Sequence, residues 1–174
     1  RGQIMFSFLL PQMFPSIVTI ILQFLIFATL GLINNYFGVI IPYTVGSLSL
    51  SIFIMKSAFD SVPKDLDEAA MIDGASEFQA FWRILTPLTL PNIATVALWS
   101  FMGAWLDYAL AHVMLSDNRV WTLPLALYSL IQPNYTLFGT FAALSLIMAI
   151  PVFIVFIIFQ KYLVSGLTAG AVKG

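Results

Sequence analysis

The chain has 174 residues, 60% hydrophobic and only 9% charged, with a mean hydropathy of +0.97. Soluble domains carry about a quarter of their residues as charges, so this composition excludes an ordinary globular protein and indicates an integral membrane one. The net charge of −1 leaves no basic surface for nucleic acid, and the absence of cysteine removes disulfides and thiolate metal sites.

Residues 2–55 contain neither a charge nor a histidine. One crossing needs roughly 20 apolar residues, so this run is predicted to hold two spans, at residues 3–30 and 39–55, with a turn near Asn34, Asn35 and Tyr36. No short, positively charged apolar leader precedes them, and no signal peptide is expected. Pro11 and Pro15 fall in the first span. A kink whose freed carbonyls are re-satisfied by neighbouring helices is expected there, in preference to a gating hinge.

The long polar interval is residues 62–91, VPKDLDEAAMIDGASEFQAFWRILTPLTLP. Six of the eight acidic residues, Asp60, Asp65, Asp67, Glu68, Asp73 and Glu77, lie in or beside it. The pattern predicts two short helices with a hinge. Pro63 suits a first helical turn, and Asp65, Asp67 and Glu68 place negative charge near the positive end of the dipole. Leu66, Ala69 and Ala70 then form a narrow face of little bulk, and Gly74 can end the helix in the left-handed conformation. Ser76 and Gln79 make a capping box for the second helix, whose Phe78, Phe81, Trp82 and Leu85 recur at i, i+3, i+4 and i+7. Pro87 is expected to end it.

A third span is expected at residues 92–114, followed by a polar turn at 116–119. The next 41 residues, 120–160, carry no charge, which is longer than one span. Pro124 and Pro133 break their beginning, so residues 121–131 read as a short helix, at the outer interface or partly re-entrant. Residues 138–160 are the fourth span, and 161–174 the tail, whose SGLTAGAVKG reads by composition as small and flexible. Ser100 with Ala104, Gly139 with Ala143, and Ser145 with Ala149 give small-residue faces suited to helix packing. Six of the seven cations, Arg1, Lys56, Lys64, Arg83, Lys161 and Lys173, fall on one side, and Arg119 alone on the other. Both ends and the polar loop are therefore expected in the cytoplasm.

Within the spans the candidates for chemistry are few. Asp107 lies about 23 Å from the inner end of a continuous third helix. An ionisable residue in a span is a functional candidate, and at this depth it can equally be hydrated or paired. Trp105 and Tyr108 beside it could line a solute path, although an interfacial aromatic belt places the same residues there. His112 stands alone. No metal site, no Ser/His/Asp set and no phosphate loop can be assembled, so neither an enzyme nor a cofactor is expected. An acidic helical loop could simply rest on the lipid surface. Such helices carry Lys and Arg, however, and anionic headgroups would repel these acids, so a protein partner explains the loop better.

Glu68, Ala69, Ala70, Gly74, Ile84, Leu90 and Pro91, at this spacing between two apolar spans, resemble the EAA loop of ATP-binding-cassette importer permeases. The terminal QKYLVSGLTAGAVKG is similar to the end of carbohydrate permeases of the maltose and maltodextrin type. FLLPQMFPSIV, GLINNYFGVIIPYT and SDNRVWTLPLALYSL extend the likeness over the whole chain. The resemblance implies an all-α polytopic bundle of about four spans, a single transmembrane domain over residues 1–174 with a coupling loop at 57–91. It implies an ATPase-coupling set of Glu68, Ala69, Ala70, Asp73, Gly74, Phe78, Ile84 and Pro91. A tail contacting the ATPase would include Gly166, Thr168, Gly170 and Lys173, and a substrate path would include Trp105, Asp107 and Tyr108. Implied partners are ATPase subunits that bind the ATP, a second permease, an extracellular sugar-binding protein and the bilayer. The family usually carries six spans and the likeness enters at what would be the third, so a fragment or a shortened form is expected. Two rivals remain: an ion-coupled carrier, which needs buried acids or broken helices at the midplane and for which Asp107 is the sole candidate, and a scaffold that docks a protein without moving solute.

Overall fold

The computed structural model describes residues 10–131 and 137–171, and every regular element among them is helical. In chain order these are α1 (Ser16–Thr29), α2 (Phe37–Asp60), α3 (Lys64–Ile72), α4 (Glu77–Leu88), α5 (Leu90–Trp105), α6 (Ala109–Met114), α7 (Leu123–Ser129) and α8 (Phe138–Ala171). Short 3-10 turns lie at Leu10–Met13 and Asn118–Val120. The all-α class that the resemblance implies is the class observed among the described residues. By length and composition α2 and the Phe138–Tyr162 part of α8 can each cross a membrane, and the bent pair α4–α5 makes a third if it is one span. The remaining expected crossing, the first, falls on α1, which has 14 residues.

The prolines and glycines explain why α1 is short. Pro15 does not kink a longer helix. It precedes the first turn, at φ −55° and ψ 131°, and its carbonyl accepts the Val18 amide at 3.0 Å. Pro11 lies in the 3-10 turn before it. At the other end Gly31 takes φ +67°, its amide donates to the Ala28 carbonyl, and the Leu32 amide donates to the Phe27 carbonyl, the paired bonds of a Schellman stop. The expected turn at Asn34 to Tyr36 is present. Asn34 takes φ +57°, and the Asn35 side chain accepts the Phe37 amide at 2.9 Å. Residues 3–9 of the predicted first span lie outside the described residues, as does Pro133.

Two further expectations are corrected. The third span is not one helix over residues 92–114: α5 ends at Trp105, and α6 begins at Ala109. The Asp107 carboxylate accepts the Leu110 and Ala111 amides, a local bond that competes with the helical ladder and starts a new helix. Nor is the end of the chain a flexible tail through most of its length, because α8 continues to Ala171. Gly166, Thr168 and Gly170 therefore lie on helical backbone, and Lys173 lies outside the described residues.

The helices group into two compact units. One takes the described residues up to Ser49 and those of Ser100–Val155; the other takes Leu50–Trp99 and the end of α8 from Phe156. The first unit is built around α6. Leu110, Ala111, Met114 and Leu115 are buried with Ile20 of α1, Val39 of α2 and Leu125 of α7, while Phe24, Phe27, Tyr43 and Trp121 pack around them. Ala111 and Met114 are fully buried. Asn34 fastens the same unit at its turn: its side-chain oxygen accepts the Ser116 and Asp117 amides at 2.6 and 2.8 Å, and its own amide donates to the Met114 carbonyl.

Candidate functional site

The second unit holds the polar loop, folded as a helical hairpin. Pro63 precedes α3 at φ −58° and ψ 130°. The helix stops at Gly74, φ +85°, where the Gly74 amide donates to the Met71 carbonyl (3.1 Å) and the Ala75 amide to the Ala70 carbonyl (3.0 Å). Two residues later the Ser76 hydroxyl accepts the Gln79 amide at 3.3 Å, and the Gln79 side chain accepts the Ser76 amide at 3.0 Å. A glycine stop followed at once by a reciprocal capping box leaves little freedom in the angle between α3 and α4.

That angle decides which side chains face outward. Ala70 and Ala80 are buried at 7% and 4% exposure, where their small size lets the hairpin close. Glu68, Ala69, Asp73 and Gly74 are exposed. Phe78 and Ile72 are 72% and 85% exposed. Trp82 meets Phe78 edge-on at 6.2 Å and Phe81 at 5.3 Å, and Phe59 at the end of α2 approaches Phe81 at 5.9 Å. Met71, Glu77, Ala80, Phe81 and Leu85 line a cleft of about 340 Å³. None of the described acids Glu68, Asp73 and Glu77 forms an ion pair with a described side chain. The hairpin thus offers exposed acids and an aromatic cluster on a fixed frame.

Pro87 does not end the second helix. Over Phe81–Leu85 the helix is π-helical, and both the amide and the hydroxyl of Thr86 reach the Phe81 carbonyl five residues back. The extra residue widens the turn where the Pro87 ring would otherwise press on the Arg83 carbonyl, so the helix passes the proline and stops at Leu88. It then bends by 72° into α5. At the elbow Thr89 is 2% exposed and its hydroxyl donates to the Leu85 carbonyl at 2.9 Å. Ile84 and Pro91, on either side, are half-buried.

The three residues offered as a solute path sit in the first unit. The Trp105 indole N–H donates to the Met148 carbonyl of α8 at 3.1 Å, and its ring stacks on Phe101 at 5.6 Å. Asp107 Oδ2 accepts the Tyr43 hydroxyl at 2.9 Å in addition to the two amides of α6. Tyr108 stacks on His112 at 5.1 Å and meets Tyr128 at 4.4 Å with the rings tilted by 39°. Two neighbouring apolar clefts, of about 360 and 160 Å³, are lined from α7 and α8 by Leu127 and Met148, with Ser145 and Ala149 in the larger and Tyr108 and Tyr128 in the smaller. Gly139 and Ala143, at the start of α8, are exposed. Among the described residues no group of three or more acids or histidines could hold a metal.

Tyr43 and Thr89 carry no signal in the sequence as site residues, and Asn34 shows there only as a turn residue; the Tyr43 pairing spans 64 positions.

Residues 1–169 match the family described as binding-protein-dependent transport system inner membrane component. The chain is 42% identical over 171 residues to the galactooligosaccharides transport system permease protein GanQ of Bacillus subtilis, covering 96% of this chain and 59% of that protein. It is 36% identical to the maltodextrin transport system permease protein MalD of Streptococcus pneumoniae, covering all of this chain and 62% of that one. It is 35% identical to the maltose/maltodextrin transport system permease protein MalG of Escherichia coli, covering all of this chain and 60% of that one. The chain therefore spans about three fifths of the length of these relatives. Among solved structures it is similar to a bacterial ABC transporter involved in the import of the acidic polysaccharide alginate, with a TM-score of 0.67, 29% identity, and coverage of 82% of this chain and 55% of that one.

Proposed function

The chain belongs to the family of binding-protein-dependent transport system inner membrane components, and from that premise we propose that it is permease material of an ATP-driven carbohydrate importer. It contributes spans to one half of a translocation path and is not itself a catalyst. The solute class is oligosaccharide, of the size of maltodextrins. Relatives named for galactooligosaccharides and maltodextrin support that class.

The observation that carries this reading is the hairpin. Glu68, Ala69, Asp73 and Phe78 are exposed on a frame fixed by Gly74 and by the Ser76–Gln79 box. Residues 57–91 dock in an ATPase subunit, where Glu68 accepts charge-assisted hydrogen bonds from a basic partner. The exposed aromatic cluster supplies the apolar anchor of that interface. Ala70, Ile84 and Pro91 act from inside, holding the hairpin and its elbow. Nucleotide-driven closure of two ATPases then moves the hairpin as a body, and the 72° elbow passes the motion into α5. A second permease completes the path, an extracellular binding protein delivers the sugar, and ATP is held by the ATPases. Gly166, Thr168, Gly170 and Lys173 lie on the same cytoplasmic side, against the ATPase pair. Six of seven cations on one face support a cytoplasmic hairpin and cytoplasmic ends.

Co-purification from membranes tests the docking. An ATPase subunit should accompany the chain and be lost on Glu68→Lys or Gly74→Trp; retention by both variants refutes the hairpin reading. Vesicle uptake of labelled oligosaccharide with all partners present separates the rivals. An importer requires ATP inside, an ion-coupled carrier works without it, and a scaffold moves no sugar.

A further inference from the structure

The break between α5 and α6 is organised by one atom. Asp107 Oδ2 accepts the Tyr43 hydroxyl at 2.9 Å, the Leu110 amide at 3.1 Å and the Ala111 amide at 3.2 Å. Leu110 and Ala111 are 6% and 0% exposed, so their amides have no route to water. An unsatisfied N–H in such surroundings incurs its full desolvation cost, and two amides depend on the same oxygen. The helix so capped carries Ala111, Met114 and Leu115, all fully or almost fully buried, against α1, α2 and α7.

We propose that Asp107 is a positioning residue: it sets the start of α6 and ties it to α2 through Tyr43, and it binds no coupling ion or proton during transport. An ion that took Oδ2 would have to displace three donors, two of them buried amides with no other partner among the described residues, and the Asp107→Asn comparison reads any ion or proton held at Oδ1. All three bonds are donated toward Asp107, so the oxygen is what the site requires. An amide oxygen would serve as well as a carboxylate, because Asn caps helices about as well as Asp. A proton or ion carrier, by contrast, needs the carboxyl group itself. Of the other titratable side chains in this unit, Tyr43 is the bond partner itself, and Tyr108 packs face to face on His112 at 5.1 Å and against Tyr128 at 4.4 Å.

The test compares Asp107→Asn, Asp107→Leu and Tyr43→Phe in the full-length protein assembled with its partners. Thermal unfolding in detergent is measured beside ATP-driven uptake across pH 5–8. Asp107→Asn should keep the wild-type melting temperature, keep uptake within about twofold, and give a superimposable pH profile. Asp107→Leu, similar in volume but without an acceptor, should melt several degrees lower and lose uptake about tenfold. Tyr43→Phe should fall between them and add little in the Asp107→Leu background, the non-additivity expected of one network. If Asp107→Leu fails to accumulate, Tyr43→Phe and Asp107→Asn, singly and combined, read the same coupling. Asp107→Asn with wild-type melting but lost uptake or a shifted pH profile overturns the proposal, as does Asp107→Leu with unchanged melting. If the wild type moves no sugar, the importer reading fails and the order of melting temperatures alone decides this one.

Discussion

Gly74 and Gly38 are required for different reasons, and substitution should separate them. Gly74 takes φ +85° with open space around its Cα, so Gly74→Ala meets only backbone strain. We expect a loss of about 1 kcal/mol in thermal unfolding, with the hairpin still formed. Gly38 has an ordinary helical backbone, but a Cβ there would run into the carbonyl oxygen of Leu32, which backbone cannot yield cheaply. Gly38→Ala should cost about 1–3 kcal/mol and displace the turn that carries Asn34. At the far side of that turn Arg119 hydrogen-bonds Asp117 and holds its carboxyl below the ordinary 3.8. A carboxylate lowered on folding stabilises above its unfolded value and loses that contribution as pH falls through the folded one. The melting temperature of Asp117→Asn should therefore differ from wild type at pH 5–8 and converge with it below pH 3.8. The exposed pair makes this difference small.

Short helices depend on their ends, and the hairpin is the clearest case. Ser76→Ala removes the acceptor for the Gln79 amide, and about 1 kcal/mol should be lost from α4, read as faster hydrogen exchange at Gln79 and Ala80. Both the glycine stop and the capping box were legible in the sequence, because each is a local bond among residues at fixed spacing. Pro87 was not. A proline normally reports the end of a helix, and here a π-turn one residue wider carries the helix past it to a bend at Thr89. Pro87→Ala removes the reason for the wide turn. It should let Phe81–Leu85 relax toward α-helix and rotate Phe78 and Trp82 relative to α5, lowering ATPase co-purification without unfolding the protein.

Across the whole molecule, the absence of cysteine makes orientation directly measurable. Single cysteines at the exposed positions Ser76 and Arg119 should react with a membrane-impermeant thiol reagent from opposite sides, Ser76 only from the cytoplasm. Labelling of Ser76→Cys from outside would reverse the topology and refute the coupling role proposed for residues 57–91. Class, polar loop and charge asymmetry follow from the sequence by itself, because the cost of placing charge in hydrocarbon and the local rules of caps and glycine stops act on neighbours in the chain. The tertiary structure alone decided that the third span breaks at Asp107, that Ala70 turns inward while Ala69 stays exposed, and that Asn34 and Tyr43 hold α6 in place. The Tyr43 bond to Asp107 and the Asn34 bond to Asp117 join partners 64 and 83 residues apart, Ala70 is covered only once its helix packs, and no local pattern records such a meeting.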